Sequence, residues 1–264
     1  MAAQSTSSSI PQLPLAGRVA IVTGGSRGIG RGIATHLHSL GARVTINYAS
    51  NSTQADLLAS HLDSTSPASA VAIKADISDP DQVNHLFDQS EQFFAAKPHI
   101  LVNCAGIMDP KYPTLSDTAV EDWDAAFSIN ARGAFLCCRE AANRIVRGGG
   151  GRIVMVTTSV VGMLPPGYAA YAASKAAVET MTRIVAKELK GSGVTANCVA
   201  PGPVATELFF EGKSEEAVKR IAEACPFGRI GEVGDVSKVV GFLVSDDGEW
   251  INGQVVRVNG GFVV

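Results

Sequence analysis

The sequence is short of charge and of long apolar runs. Only 18% of its 264 residues are Asp, Glu, Lys or Arg, against roughly 25% in average soluble domains. The net charge is -3, so no basic surface is available for nucleic acid or anionic lipid. No apolar run approaches the roughly 20 residues that a bilayer-spanning helix needs. We therefore expect no nucleic-acid partner and no membrane segment.

The sequence also lacks the spacing of a metal or disulfide framework. It contains no Cys-x-x-Cys pair, and its five histidines show no ligand spacing. Its five cysteines are odd in number and lie inside apolar runs. These features predict reduced, buried thiols of a cytosolic type of compartment and no metal site.

Residues 1–15 lack charge and a long apolar segment, so they do not read as a secretory signal. They are rich in serine but lack the arginine of a transit peptide. We expect a disordered tail over residues 1–15 and a cytoplasmic protein, with plastid targeting as the less favoured alternative. No linker divides the remainder, so residues 16–264 are predicted to form one domain.

From Arg18 onward, short apolar runs alternate with segments of helical periodicity. The runs are typical of strands buried on both faces, and seven of them separated by helices predict an α/β fold. We expect a single-domain Rossmann fold: a doubly wound, seven-stranded parallel sheet with helices on both faces. The predicted strands are Val19–Val22, Val44–Ile46, Val71–Ile73, Ile100–Val102, Ile153–Val156, Val194–Val199 and Val255–Val258. The clearest helices are Gly30–Leu40, Gln82–Ala95, Trp123–Val146, Ala172–Lys190 and Ser214–Ala224.

Glycine is abundant, with 27 residues, and its most informative cluster follows the first strand. The loop from Thr23 to Gly30 reads Thr-Gly-Gly-Ser-Arg-Gly-Ile-Gly and enters an amphipathic helix. Glycines let backbone N–H groups approach a pyrophosphate whose charge faces the helix N-terminus. The loop predicts a dinucleotide site that includes Gly24, Ser26, Arg27, Gly28, Ile29 and Gly30, although a packing turn is the alternative.

The end of the second strand indicates which dinucleotide binds. NAD sites usually place an acidic residue there, on the ribose 2′-hydroxyl. Here the chain reads Asn47-Tyr48-Ala49-Ser50, with no acidic residue before Asp56. Arg27 could pair with a 2′-phosphate, or it could be a solvated loop charge. The missing acid and the available cation favour NADPH/NADP.

Tyr171 and Lys175 are the strongest candidates for chemistry. Their i, i+4 spacing puts them on one face of a predicted helix, and an ammonium can bring a phenol pKa towards neutrality. The predicted fifth strand ends in hydroxyl residues, including Ser159, and the fourth ends in Asn103-Cys104-Ala105-Gly106. Strand carboxyl ends line the ligand crevice of such sheets. Asn130 could order a relay water or could satisfy its own helix.

The ordered set of these motifs, with Asp76 and Pro201-Gly202, resembles the short-chain dehydrogenase/reductase family from about residue 15 to 264. Within it, the segments 197–203, 212–216 and 250–254 are similar to plant NADPH-dependent aldehyde/ketone reductases. Bacterial-type 3-oxoacyl-[acyl-carrier-protein] reductases are the next most similar in pattern. The resemblance implies an NADP-dependent oxidoreductase that reduces an aldehyde or ketone to an alcohol.

The resemblance also implies roles for the residues that match the family motifs. Tyr171 would protonate the substrate oxygen and Ser159 would polarise the carbonyl. Lys175 would bind the nicotinamide ribose and lower the Tyr171 pKa, while Asn130 would hold a relay water. The remaining cofactor contacts would come from Asp76, Ile77, Asn103, Ala105, Gly106, Pro201, Gly202, Val204 and Thr206.

One departure from the family pattern concerns the hydroxyl. The Ser-to-Tyr spacing is commonly thirteen residues in the family and is twelve here. Thr158 stands at thirteen, but Ser159-Val-Val-Gly matches the motif better, so Ser159 is the prediction.

The substrate side is predicted to be apolar. Two adjacent Phe residues, including Phe209, suggest a lid, with a core contact as the alternative. Tyr168, Leu164 and Met108 flank the motifs and could line the pocket. We expect a small apolar carbonyl substrate and, from the resemblance, a homotetramer or homodimer. The alternatives are a 3-oxoacyl-[acyl-carrier-protein] reductase, an alcohol dehydrogenase of specialised metabolism and a non-catalytic dinucleotide-binding regulator.

Overall fold

The computed structural model describes residues 13–264. The tail expected over residues 1–15 therefore lies mostly outside the described residues. At its end, Leu15 is fully buried in the core, and its backbone N–H donates to the Leu40 carbonyl at 2.9 Å. Folded contacts thus begin slightly before the predicted boundary.

Seven strands and ten α-helices alternate along the described chain. The strands are β1 Val19–Thr23, β2 Arg43–Tyr48, β3 Ala70–Lys74, β4 Ile100–Asn103, β5 Gly151–Val156, β6 Val194–Pro201 and β7 Val255–Val258. The helices are α1 Gly28–Ser39, α2 Ser52–Thr65, α3 Pro80–Phe94, α4 Val120–Ala126, α5 Ala134–Arg144, α6 Val160–Met163, α7 Ala169–Glu188, α8 Glu207–Phe210, α9 Glu215–Ala224 and α10 Val233–Val244. Short 3₁₀ turns cover Leu115–Asp117 and Asp246–Gly248.

The strands form one sheet in the order β3-β2-β1-β4-β5-β6-β7, and every neighbouring pair is parallel. The chain moves outward from β1 to β3, then returns to place β4 on the other side of β1. This reversal creates a crevice at the carboxyl ends of β1 and β4, where ligands bind in open α/β sheets. The predicted doubly wound parallel sheet is confirmed.

Each face of the sheet carries its own apolar core. On one face, side chains of α1, α2 and α10, such as Ile33, Leu58 and Val240, pack against the strands. On the other, α3, α5 and α7 contribute residues such as Phe87 and Val178. Because both faces are covered, the strands need apolar side chains at nearly every position, which explains their continuous runs.

The predicted long helix over Trp123–Val146 is divided in the structure. It consists of α4, a π-helical segment Phe127–Gly133 and α5. A π-helical turn inserts an extra residue and often accompanies a functional site. The structure also adds α2 and α10, for which the sequence offered no clear boundaries.

All five cysteines are free thiols; Cys104 is half-buried and the other four are buried. Residues 13–264 contain no cluster of three or more metal-ligating side chains. Within the same range, no helix is both long and apolar enough to cross a bilayer.

Candidate active site

The crevice between β1 and β4 is held together by the last residue of β1. The Thr23 hydroxyl donates to Asn103 Oδ1 at 3.0 Å. It also accepts the backbone N–H groups of Cys104 and Ala105, both at 3.1 Å. Thr23 and Asn103 are buried, so this network fixes the loop after β4 beside the glycine loop.

The glycine loop is closely packed against itself and against the loop after β4, and it leaves the N-terminus of α1 uncapped. A Cβ on Gly30 would lie 2.2 Å from the Gly24 carbonyl oxygen, and one on Gly24 would lie 2.8 Å from Ala105 Cα. The loop is therefore packed closely enough that side chains at these positions would not fit. The N-cap residue of α1, Arg27, makes no side-chain capping hydrogen bond, which leaves the helix N-terminus available to an anion.

The residues that would select between NADP and NAD lie beside this loop. Arg27 is exposed and pairs with Glu207 of α8, with its Nη1 3.1 Å from Glu207 Oε2. Tyr48 is half-buried at the end of β2, and Ala49 and Ser50 are exposed after it. No acidic residue follows β2 before Asp56; the hydroxyls of Tyr48 and Ser50 stand there instead.

Two predicted cofactor residues have side chains committed to the fold. Asn47 is buried, accepts the Gly24 N–H at 3.4 Å and donates to the Ala75 carbonyl at 3.0 Å. Ile77 is buried against Gly133. Both support the crevice through packing. Asp76 is exposed and accepts from the Ser78 backbone N–H at 2.9 Å.

Tyr171 and Lys175 lie one turn apart at the start of α7. Burial raises the pKa of Tyr171 to about 12, and a hydrogen bond with the Thr158 hydroxyl opposes that rise. Burial also lowers the pKa of Lys175, whose Nζ donates to the Val156 carbonyl at 2.9 Å. The expected lowering of the Tyr171 pKa by Lys175 is wrong for this structure, because burial raises that pKa and the opposing effect comes from Thr158 and not from Lys175. The phenol therefore stays protonated at neutral pH.

Asn130 lies in the π-helical segment and is fully buried. Its side chain accepts the Ile107 N–H at 2.8 Å and donates to the Ile107 carbonyl at 2.9 Å. It also donates to the Ser174 hydroxyl at 3.1 Å. A Cβ on Gly106 would lie 3.1 Å from Asn130 Oδ1 and 3.2 Å from Lys175 Nζ. Because Gly106 has no side chain, Asn130 and Lys175 can both lie close to its backbone.

The two hydroxyl candidates after β5 have different partners. The Ser159 hydroxyl donates to the Ala200 carbonyl at 2.9 Å and accepts from Asn259 Nδ2 at 3.0 Å. Thr158 is the residue whose hydroxyl reaches Tyr171. Its Oγ1 accepts the Val160 N–H at 3.2 Å, and its proton is directed to Tyr171, since a hydrogen bond lowers the pKa of a phenol by donating to the phenol oxygen. The signal for Thr158 in the sequence was the thirteen-residue spacing to Tyr171.

The segment that carries the predicted cofactor residues Gly202, Val204 and Thr206 follows β6 and approaches the glycine loop. The Gly202 N–H donates to the Val258 carbonyl at 3.0 Å, and Val204 is buried. Thr206 caps α8 by accepting the Phe209 N–H at 3.3 Å. Its methyl group lies close to Gly28 of the glycine loop.

The substrate side contains a cluster that was not apparent in the sequence. The ring centroids of Tyr112 and Tyr168 are 5.1 Å apart. Lys213 Nζ lies 4.4 Å from the Tyr112 ring centroid and 4.9 Å from that of Phe209. It also donates to the Tyr112 hydroxyl and to the Phe209 carbonyl. The cluster joins α8 to the loop after β4.

The other predicted substrate residues lie less centrally. Leu164 is 74% exposed and lines an apolar groove that also includes Leu115 and Tyr168. Met108 is half-buried in the loop after β4. Of the four predicted substrate residues, Tyr168 and Phe209 are brought together by Tyr112 and Lys213.

Comparisons with known proteins agree with this geometry. The sequence model of the family described as Enoyl-(Acyl carrier protein) reductase matches residues 24–263. NADPH-dependent aldehyde reductase-like protein, chloroplastic, of Arabidopsis thaliana is 59% identical, over 98% of this chain and 100% of the relative. NADPH-dependent aldehyde reductase 2, chloroplastic, of the same plant is 55% identical, over 99% of each chain.

A solved structure extends the comparison to three dimensions. A short-chain dehydrogenase of Burkholderia cenocepacia in complex with NADP superposes with a TM-score of 0.87 at 34% identity, over 94% of this chain and 99% of that one. The fold and the site define a dinucleotide-dependent oxidoreductase. The chain belongs to the short-chain dehydrogenase/reductase family.

The expected cytoplasmic location is wrong. Both Arabidopsis relatives, at 59% and 55% identity over nearly the whole chain, are named chloroplastic. Serine enrichment and scarcity of acidic residues are themselves features of transit peptides, and the N-terminal segment has both although it lacks arginine.

Proposed function

We propose that this protein reduces small apolar aldehydes or ketones to alcohols, with Tyr171 as the proton donor. Its cofactor is NADP(H), and it is an oxidoreductase of carbonyl and CH–OH groups. The observation that carries the proposal is the convergence of Lys175 and Asn130 on the backbone of Gly106, with Lys175 Nζ held by the Val156 carbonyl at 2.9 Å. Tyr171 lies one helical turn before Lys175, and a hydrogen bond with Thr158 lowers its pKa against the effect of burial. These residues lie at the carboxyl edge of the sheet, next to the glycine loop.

Tyr171 acts on the carbonyl oxygen. Its raised pKa keeps the phenol protonated at neutral pH, so a proton is ready when negative charge develops on that oxygen. Lys175 stabilises the phenolate left behind and binds the nicotinamide ribose. Asn130 holds a water that returns a proton towards Lys175 and Tyr171; the slim backbone at Gly106 between Asn130 and Lys175 supports this path.

The carbonyl is polarised by a hydroxyl at the end of β5. The geometry favours Thr158 over Ser159, because the Ser159 proton is already donated to the Ala200 carbonyl. Thr158 accepts the Val160 N–H, and its proton, directed to Tyr171, becomes available to a substrate oxygen that displaces this hydrogen bond. A donor aimed at the developing oxyanion stabilises the transition state more than the ground state.

The crevice residues hold the cofactor in distinct ways. The glycine loop, Gly24–Gly30, and the N-terminus of α1 receive the pyrophosphate, and Arg27 with Tyr48 and Ser50 receives the 2′-phosphate. Asp76 contacts the adenine, and the backbone of Asn103–Gly106 lies along the adjacent ribose. Val204 and Thr206 hold the carboxamide. When bound, NADPH supplies the hydride for the carbonyl carbon.

The substrate pocket is closed by α8. Phe209 and the Tyr112–Tyr168 pair give it an apolar, aromatic wall, which favours apolar substrates over strongly hydrated ones. Lys213 is hydrogen-bonded to the Tyr112 hydroxyl and to the Phe209 carbonyl, so it connects α8 to the aromatic wall formed by Tyr112 and Tyr168.

A panel of carbonyl compounds tests the proposal. We expect the purified protein to oxidise NADPH in the presence of small apolar aldehydes or ketones. The reaction is measured as the loss of NADPH fluorescence. Tyr171→Phe should lose about a hundredfold to ten-thousandfold in kcat while still binding NADPH. Tyr168→Phe, the matched control, should lose much less. Near-normal turnover by Tyr171→Phe would refute the proton-donor role.

The same panel separates the alternatives. A marked preference for a 3-oxoacyl thioester over free aldehydes would favour a 3-oxoacyl-[acyl-carrier-protein] reductase. Faster oxidation of alcohols with NADP than reduction of carbonyls would favour a dehydrogenase of specialised metabolism. NADPH binding without turnover on any substrate would favour a regulator.

We also propose that the protein resides in the plastid. The names of the two Arabidopsis relatives support this location. A fusion of the full chain to a fluorescent protein should accumulate in chloroplasts, and a fusion lacking residues 1–12 should not. Equal import of both fusions would refute a role for this segment.

A homodimer or homotetramer is proposed from the exposed apolar residues of α5, α7 and the C-terminus. Phe135, Ile184 and Val264 are large side chains that remain exposed in the single chain, and β7 is an open edge of the sheet. Burial of such residues stabilises association. Light scattering should report at least two chains, and the mass of one chain would refute the proposal.

A further inference from the structure

Asn259, the residue after β7, connects three segments near the proposed site. Its Nδ2 donates to the Ser159 hydroxyl at 3.0 Å and to the Val263 carbonyl at 2.8 Å. Its Oδ1 accepts the Gly261 N–H at 3.0 Å. A carbonyl only accepts and an N–H only donates, so these partners fix the orientation of the amide.

Ser159 is fully committed to this network. Its hydroxyl donates to the Ala200 carbonyl at 2.9 Å while accepting from Asn259, and its N–H donates to the Pro201 carbonyl at 2.8 Å. With only 3% of its surface exposed, Ser159 has no access to compensating water. The position of this residue therefore depends on the Asn259 amide.

The residue held in this way is the immediate neighbour of Thr158. The Thr158 hydroxyl accepts the Val160 N–H at 3.2 Å, and Val160 directly follows Ser159. A shift of Ser159 would consequently move both the Thr158 backbone and the group that orients its hydroxyl. Displacement of a reacting group by about 1 Å can cost a hundredfold in rate.

Asn259 also packs against the loop proposed to hold the carboxamide. A Cβ on Gly202 would lie 2.7 Å from Asn259 Cβ and 2.9 Å from Asn259 Cα. The Gly202 N–H donates to the carbonyl of Val258, the preceding residue. One residue near the C-terminus thus touches the hydroxyl-bearing segment and the turn after β6.

We propose that Asn259 is a positioning residue for carbonyl reduction, which fixes the Thr158 hydroxyl through Ser159. This inference rests on the proposed function and deepens it. The amide is required because its NH₂ group donates to both the Ser159 hydroxyl and the Val263 carbonyl. A carboxylate at the same position would present only acceptors to Ser159 and Val263.

The test compares kcat, the Kd for NADPH and the Tm of wild type, Asn259→Asp, Ser159→Ala and the double variant. We expect Asn259→Asp to lower kcat about tenfold to a hundredfold, with the Kd for NADPH within about threefold of wild type. Because Asn259 acts through Ser159, the double variant should be no slower than the slower single variant. A loss of kcat in the double variant equal to the product of the two single losses would overturn the inference.

The pH profile adds a readout that a structural role would not move. The introduced carboxyl gains an O–H donor when it is protonated. The kcat of Asn259→Asp should therefore approach that of wild type as pH falls towards about 4 to 5. Asn252→Asp is the matched control: its Oδ1 accepts the Ala196 N–H at 2.9 Å before β7. Asn252→Asp loses the hydrogen bond from Nδ2 to the Ala186 carbonyl at 3.3 Å, so it should lower Tm with kcat unchanged, and its activity relative to wild type should not recover at low pH.

The remaining outcomes are also decisive. A wild-type kcat for Asn259→Asp, with only Tm lowered, would overturn the positioning role. If that variant does not fold, Ser159→Ala carries the test alone and must lose kcat with unchanged NADPH affinity. A wild-type protein inactive on every carbonyl would instead refute the proposed function, so the two failures are distinguishable.

Discussion

Thr158 lowers the pKa of Tyr171, thirteen residues further along the chain, through a side-chain hydrogen bond that opposes the effect of burial. The neighbouring Ser159 hydroxyl is bonded instead to Ala200 and Asn259. Thr158 and Ser159 follow the end of β5, and Ser159 already has helical backbone angles at the start of α6, so their hydroxyls have different partners. That difference decides which side chain is placed to act on a carbonyl oxygen.

Replacement of Thr158 tests this choice directly. We expect Thr158→Val, which keeps the shape and removes the donor, to lower kcat about a hundredfold to a thousandfold, as for loss of one oxyanion donor. Thr158→Ser retains a hydroxyl and should recover most of the rate. Steady-state kinetics with one aldehyde suffice. Equal activities of the two variants would show that the hydroxyl is not used.

Arg27 is expected to set the preference for NADPH over NADH. Its guanidinium is free to exchange Glu207 for a phosphate, because the ion pair is exposed and therefore weak. Arg27→Ala should weaken NADPH binding about tenfold to a hundredfold and leave NADH binding nearly unchanged. Arg31→Ala, on the same helix one turn later, is the matched control. Unchanged selectivity of Arg27→Ala would contradict the prediction.

Lys213 is expected to affect the carbonyl substrate and not the cofactor. It joins the Tyr112 hydroxyl to the Phe209 carbonyl and lies against both rings. Lys213→Met should raise the KM for the carbonyl about threefold to thirtyfold, the range expected from a partly buried cation–π contact. The Kd for NADPH should stay constant. Lys219→Met, at an exposed position of α9, is the control; an equal effect there would rule out a lid role for Lys213.

The protonation state of Tyr171 can be followed in the free protein. Burial raises its pKa to about 12, above the value of about 10 for an exposed tyrosine. The folded state therefore keeps a proton that the unfolded chain loses, and the stability this contributes is lost as pH rises from about 10 towards about 12. The difference in phenolate absorption between wild type and Tyr171→Phe should remain flat up to about pH 10. An earlier rise would contradict the burial of this phenol.

Most of the architecture was predictable because strands and helices follow from apolar runs and helical periodicity over a few consecutive residues. The apolar runs located all seven strands to within a few residues, since a parallel sheet covered on both faces needs nearly continuous apolar side chains. The long helix from Trp123 was predicted without its π-helical segment, because hydrophobic periodicity does not report one inserted residue. Helix α10 was hard to delimit since its sequence is apolar on most sides.

The sequence by itself determined the glycine loop, the missing acid after β2 and the Tyr171–Lys175 pair, since each depends on residues a few positions apart. Only the tertiary structure decided the partners of the two hydroxyls after β5, because Ala200, Asn259 and Tyr171 come from other elements of the chain. The tertiary structure also brings Lys213 to Tyr112 and Asn259 to Ser159, pairs separated by 101 and 100 residues. These contacts join segments that follow different strands of the sheet, and no local pattern specifies them.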